Sequence, residues 1–450
     1  MSLIEADKHL LHPFTAVQEH EANGPHIMQR AEGIHVYDDQ GHQYIDAMAG
    51  LWCVNIGYGR TGIGQAMADQ VNQLSYFHSF MSSGNEPSIR LAEKLANMAP
   101  GNLNHVFFCN SGSEANDTHV KMVWYYNNLR GKPEKKKFIS RIGAYHGVTL
   151  AAASLSGLSY LQKGFDLPLD RFVHVSRPSV FWEKPEGLTE LEYSAQLAKE
   201  IEDKIVDEGP DTVAAFIAEP VMGAGGVIPP PEGYFQAVIP VLKKYGILFI
   251  ADEVICGFGR LGKNFGSEVY GIEPDLMTLA KGLTSGYVPM SACMISDEIY
   301  EVLKSGTPEM GTFAHGYTYT AHPLTAAVAL KNLEIIEQEE LVQNAAKVGD
   351  YLQIELRNAV ADHPLVGDVR GLGLLAGVEL VADKENKTPF DLSKGTSRKM
   401  YNHLLKRGLI CRPILNTLAF SPPLIITTAN VDEIVGKFSS ALNDLHQELA

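Results

Sequence analysis

Between about residues 61 and 325, short apolar runs alternate with stretches of helical periodicity. This alternation restricts the fold more than any other feature of the chain. The runs 105–109, 138–140, 213–218, 247–251 and 291–295 read as strands. Several are apolar at every position, so both of their faces must be covered. Strands separated by helices predict an α/β fold, with a central, mostly parallel sheet wrapped in helices. The flanks read differently. Residues 1–60 predict a short helix and then a hairpin, with 34–37 and 44–47 flanking the turn-rich 38–41. Beyond about 326, Leu341, Ala345, Val348, Leu352 and Leu356 recur at helical spacing, as do Ile434, Phe438, Leu442 and Leu445. With strand-like runs at 366–378 and 409–424 between them, residues 326–450 predict a smaller α+β domain, with 1–60 as an N-terminal part of it and 61–325 as the large domain.

Composition excludes several classes of function. The formal charge of −16 argues against nucleic acid or an anionic membrane surface as the main partner. No run of 18 apolar residues occurs, and the acidic N-terminus lacks the form of a secretory signal. The five cysteines are far apart and form no CxxC pair, so neither a disulfide framework nor a metal cluster is expected, and a reducing cytoplasm is the expected setting. The charge run 132–137 reads as a solvated loop without function.

Four places carry chemistry. Lys281 stands at the exit of an apolar run, before Gly282. A lysine buried there is costly unless its amine is neutral or covalently used, and a desolvated amine is a good nucleophile toward carbonyls. The other reading is a lysine whose stem lies on the core while its charge reaches water. Asp252 ends the run 247–251, at the strand end where open α/β sheets place ligands. It suits a proton on a heteroaromatic nitrogen, and equally a helix cap or an ion pair. Residues 110–116, Asn-Ser-Gly-Ser-Glu-Ala-Asn, form a polar turn between strand and helix: an anion site or a plain N-cap. Tyr145-His146-Gly147 offers an aromatic face, or simply core. The glycines 257, 259 and 262 match GxGxxG, but Asp252 and Glu253 separate them from the strand and no helix-forming sequence follows, so the dinucleotide reading fails on context.

Six motifs occur in order: SGSEAND at 111–117, AYHG at 144–147, AEPVMGAGG at 218–226, DEVICGFGR at 252–260, the lysine at 281, and HGYTYTAHP at 315–323. Together they resemble the class III aminotransferases, the ω-transaminase family, over nearly the whole length. The resemblance implies the fold-type I architecture of enzymes dependent on pyridoxal 5′-phosphate. It implies that Lys281 is the Schiff-base lysine and proton shuttle, and that Asp252 pairs with the pyridine nitrogen. Ser111, Gly112 and Ser113 would bind the phosphate, Tyr145 and Val254 would sandwich the ring, and His146 and Glu219 would complete the cofactor site. Thr318 would reach the phosphate of a neighbouring subunit, which implies a homodimer with shared sites and leaves a dimer of dimers open. Phe14, Trp52, Phe80, Tyr145 and Val148 would form the substrate pocket, and Arg412 would swing in to bind a carboxylate.

The implied reaction moves the amine of a primary amine or ω-amino acid to pyruvate, giving an aldehyde or ketone and L-alanine. A 2-oxoglutarate-using relative of the γ-aminobutyrate or ornithine type is the near alternative. An aminomutase, a non-enzymatic cofactor-binding regulator and, from another class, an NAD-dependent dehydrogenase are the more distant ones.

Overall fold

The computed structural model describes residues 3–449. Its strands in chain order are β1 (Met28–Glu32), β2 (His35–Asp38), β3 (Gln43–Asp46), β4 (His105–Cys109), β5 (Lys137–Arg141), β6 (Phe172–Val175), β7 (Val213–Ala218) and β8 (Leu248–Asp252). There follow β9 (Leu276–Leu279), β10 (Ser291–Ile295), β11 (Val366–Leu372), β12 (Leu375–Asp383), β13 (Thr388–Pro389), β14 (Leu409–Ile410), β15 (Arg412–Ile414) and β16 (Thr417–Phe420). The largest sheet has the order β4-β10-β9-β8-β7-β5-β6. Strands β5 to β9 pair in parallel, and β10 runs antiparallel to both β9 and β4. Six strands therefore share one direction, which is the mostly parallel α/β sheet expected.

Strand β7 shows why the sheet is covered on both sides. All six of its residues are buried. Ala215 and Ile217 belong to one apolar cluster with Val120 and Val123 of the helix Gly112–Leu129. Phe216 and Ala218 belong to another, with Ile201 of Glu190–Glu208 and Val238 of Tyr234–Lys244. Alternate side chains leave opposite faces of a strand, so a run apolar at every position feeds two helical layers. Each fully buried Phe or Ile contributes roughly 1.5–3 kcal/mol. The parallel strands bring their carboxyl ends, at Cys109, Arg141, Ala218, Asp252 and Leu279, to one edge of the sheet.

A second sheet has the order β1-β2-β3-β14, in which Ile45 of β3 pairs in parallel with Leu409. A third, antiparallel sheet runs β11-β12-β16-β15, with β13 on β12. The sequence reading differs in detail. Strand β1 carries Met-Gln-Arg-Ala-Glu and is mostly exposed, so it gives no apolar alternation to read. The expected run 366–378 folds back as the β11–β12 hairpin, and 409–424 divides into β14, β15 and β16.

One expectation needs correction. The run 132–137 is not simply solvated: Lys135 is buried, and its Nζ donates to the carbonyls of Pro210 (3.2 Å) and Tyr245 (3.1 Å). Lys137 Nζ donates to the Glu208 carbonyl (3.0 Å) and carboxylate (2.8 Å). These ammonium groups cluster at the carboxyl ends of Glu190–Glu208 and Tyr234–Lys244, where the helix dipole favours positive charge. The cysteines are all free, and two that are far apart in sequence, Cys109 and Cys293 on adjacent β4 and β10, bring their Sγ atoms to 3.9 Å. Among the described residues no helix is long and apolar enough to cross a membrane.

Candidate active site

Five strand ends build one chamber. A cavity of about 330 Å³ is lined by Gly112 and Ser113 after β4, Tyr145, His146 and Gly147 after β5, and Glu219 after β7. Asp252 and Val254 come from the end of β8, and Ala280 and Lys281 follow β9. From outside the large sheet come Pro13, Phe14, Leu51, Trp52 and Arg412. The volume suits a small molecule.

Lys281 has φ 44°, in the left-handed region that a residue with a Cβ occupies only when its surroundings enforce it. Its side chain keeps an opening onto the cavity, yet burial lowers its pKa from 10.5 to about 8. Arg412 adds to this decrease, while Cys53, Asp252 and Glu219 oppose it. Nζ makes no hydrogen bond or ion pair with another described residue and sits 5.8 Å from the centre of the Trp52 ring. An amine so held is part neutral near pH 8 and reaches the chamber unencumbered.

Asp252 is 3% exposed. Burial alone would raise its pKa, but hydrogen bonds outweigh burial and hold the carboxyl below its ordinary value. His146 Nδ1 donates to Oδ2 at 2.7 Å, Asn116 Nδ2 to the same oxygen at 3.0 Å, and the Val254 amide to Oδ1 at 3.1 Å. Asn116 also donates to the His146 carbonyl at 2.7 Å, and its own oxygen accepts from the Thr278 hydroxyl at 2.7 Å. A buried carboxylate oriented by three donors is a fixed negative charge. It suits a cationic N–H placed in the chamber.

Ser111 caps the helix Gly112–Leu129, its side chain accepting from the Glu114 amide at 3.2 Å. The first amides of that helix have no carbonyl to bond within it, so those of Gly112 and Ser113 suit an anion. Ser113 Oγ accepts from the Val148 amide at 3.1 Å. Two glycines keep this corner open. A Cβ on Gly147 (φ 128°) would lie 2.5 Å from Ser113 Oγ, and one on Gly112 would lie 3.1 Å from a Val254 methyl. Glu219 is buried, which raises its pKa, and accepts from the amides of Tyr145 (3.2 Å) and Gly223 (2.7 Å). Arg412 lies 5.4 Å from the centre of the Trp52 ring. Its guanidinium makes no ion pair or hydrogen bond with another described residue, and burial lowers its pKa.

Four sequence candidates stand outside the chamber wall. Ser111 lines an adjoining recess with Gly112, Lys281 and Thr284. Val148 is exposed beside Gly147. Phe80 and Thr318 share an exposed ledge, where the Tyr76 hydroxyl donates to the Thr318 carbonyl (2.7 Å) and Ser79 Oγ to that of Thr320 (3.0 Å). Within one chain neither lines the cavity. Sequence reading missed Asn116, Tyr160 and Arg141. Asn116 was visible as the polar residue of SGSEAND that falls on the buried face of its helix. Tyr160, which lines the cavity, has no sequence signal. Arg141 is fully buried at the end of β5 and donates to the Glu219 carbonyl at 2.7 Å. The glycines 257–262 serve packing: a Cβ on Gly262 would lie 2.8 Å from the Ala346 backbone.

Comparison with known proteins agrees with this geometry. Residues 16–442 match the family Aminotransferase class-III. The chain is 49% identical to a solved ω-transaminase of Pseudomonas jessenii in complex with PMP, with a TM-score of 0.98 and 99% of each chain covered. It is 45% identical to a putrescine–pyruvate aminotransferase of Pseudomonas aeruginosa, over 95% of this chain and 92% of that protein. It is 46% identical to a diaminobutyrate–2-oxoglutarate transaminase of Halomonas elongata, over 94% of this chain and 91% of that protein.

Proposed function

The chain belongs to the class III aminotransferases, which depend on pyridoxal 5′-phosphate, and from that premise we propose that it passes the amine of a primary amine or ω-amino acid to pyruvate, releasing an aldehyde or ketone and L-alanine. The donor set of the chamber fits the cofactor. The helix-end amides of Gly112 and Ser113 suit its phosphate, Tyr145 and Val254 its ring, Asp252 its pyridine N–H, and Lys281 its aldehyde carbon. When bound, the cofactor supplies the electron sink that makes the amine-bearing carbon acidic. The residues do the rest. Asp252, kept ionised by His146, Asn116 and the Val254 amide, holds the ring-nitrogen proton in place. Lys281, with its lowered pKa, takes a proton from the reacting carbon as base and returns it as acid. The apolar lining, with Trp52 and Phe14, keeps water from the exchange.

The observation that carries the choice of acceptor is the inventory of cations around the chamber. Arg412 is the one guanidinium among its lining residues, and it is unpaired. One carboxylate, as in pyruvate, finds one partner. The second carboxylate of 2-oxoglutarate would be buried against Val221 and Ile255 or near Glu219, at a cost of several kcal/mol. The Halomonas relative's 2-oxoglutarate use favours the other reading. Steady-state assays with both acceptors decide between them. Pyruvate should exceed 2-oxoglutarate by about 100-fold in kcat/KM, and Arg412→Ala should impair the keto-acid half-reaction far more than the amine half-reaction. Equal use of both acceptors, or equal loss in both halves, overturns this reading.

The same reading includes a homodimer, since Phe77, Phe80, Met81, Thr318 and Tyr319 are all exposed. It includes a cytoplasmic setting, supported by five unpaired cysteines. It divides the chain near residues 60 and 325, as the three sheets suggest, with the pairing of β3 and β14 joining the N-terminal part to the small domain.

A further inference from the structure

We propose that Asp7, His12 and His20 bind a divalent transition cation, and that this cation fastens the segment carrying Phe14 to the mouth of the chamber. Asp7 ends the helix Leu3–Asp7, His20 lies in the helix Val17–Asn23, and His12 lies between them. His12 Nε2 is 2.8 Å from Asp7 Oδ1 and His20 Nε2 is 2.6 Å from Asp7 Oδ2. The two imidazole centres are 4.2 Å apart. The three side chains are 26%, 19% and 14% exposed for His12, His20 and Asp7, so they are sheltered but reachable.

Without a cation this is a hydrogen-bonded trio, each imidazole giving a proton to one carboxylate oxygen. Two features favour a cation. Three donors from three short segments converge with both Nε2 atoms turned inward, and two imidazoles with one carboxylate are the donor set that zinc-like ions take. Loading requires a tautomer change and a small opening of the trio. The Nε2 proton moves to Nδ1 and leaves an Nε2 lone pair for the metal. Bonds of about 2.0–2.1 Å in a tetrahedron set ligand atoms about 3.3 Å apart. The contacts of 2.8 and 2.6 Å must therefore widen by about 0.5–0.7 Å, with water at the fourth position. The net charge of −16 enriches cations near the surface.

The site matters because within one chain little else holds the segment. The helices Leu3–Asp7 and Val17–Asn23 bury no residue, yet Pro13 and Phe14 between them line the chamber. Phe14 is 68% exposed and has φ 53°. A metal joining residues 7, 12 and 20 closes a loop around it.

The test is calorimetric titration of the holoenzyme with Zn2+, using the wild type and the variants His12→Gln, His20→Gln and Asp7→Asn. Limited proteolysis of the first 25 residues serves as a second readout. Zinc also meets other histidines and the cofactor phosphate in every variant, so the difference between proteins is what counts. One zinc per chain at micromolar affinity, weakened by about 100-fold in each variant, with zinc slowing cleavage only in the wild type, supports the proposal. Unchanged affinity in the three variants, or cleavage indifferent to zinc, overturns it. Equal metal-free melting temperatures of wild type and variants establish that the variants fold.

Discussion

Lys281 joins a cost to a use. Its amine is placed among apolar walls at a left-handed backbone position, and its pKa falls to about 8. Below pH 8 the amine is protonated in both folded and unfolded chains, and folding bears the full penalty of burying it. Between 8 and 10.5 only the unfolded chain stays protonated, so the penalty shrinks as pH rises. The Lys281→Met apoenzyme should therefore melt a few degrees above the wild-type apoenzyme at pH 7, with the gap closing towards pH 10.5. A gap independent of pH would show that burial of charge is not its cause. Lys281 and Asp252 were legible in the sequence because a charge at the end of an apolar run is conspicuous. Asn116 could be read only as a polar residue on the buried face of its helix, and that its amide bridges Asp252 and the His146 carbonyl emerges only in the fold. Arg412 was legible only through resemblance. Its place over Trp52 depends on a hairpin more than 350 residues away in sequence, and no local pattern encodes it.

At the scale of elements, the site is a property of strand ends. β4, β5, β7, β8 and β9 each deliver one part, and the turns after them are tight enough that a methyl group matters. Gly147→Ala places a Cβ 2.5 Å from Ser113 Oγ and 2.8 Å from the Ala152 Cβ at φ 128°, so the anion corner must shift. Overpacking of this kind costs about 1–3 kcal/mol. The variant should release cofactor on dialysis while its far-ultraviolet circular dichroism stays unchanged, and cofactor retention equal to wild type would overturn the expectation. The buried strands were legible because apolar runs between helices leave few alternatives. β1 and the short β13 were not, because exposed or two-residue strands form by pairing and carry no pattern of their own.

At the scale of the molecule, the ledge holding Phe80 and Thr318 separates a self-contained site from a shared one. Mixed dimers of Lys281→Ala and Thr318→Asp chains decide the matter. If Thr318 serves the partner's site, one centre per mixed dimer has both native residues, and activity returns from two inactive parents. If it serves its own chain, no centre is intact and mixing restores nothing. The ledge was outlined in sequence only by the motif at 315–323. What it meets is not encoded nearby.

The parallel pairing of Ile45 with Leu409 has a consequence for synthesis. The opening hairpin leaves the ribosome with one flank bare, and the short strand that covers it follows some 360 residues later. For most of translation that flank is an adhesive edge, open to whatever nascent chain drifts past. Early termination before residue 409 should therefore yield aggregates more readily than a shortened enzyme.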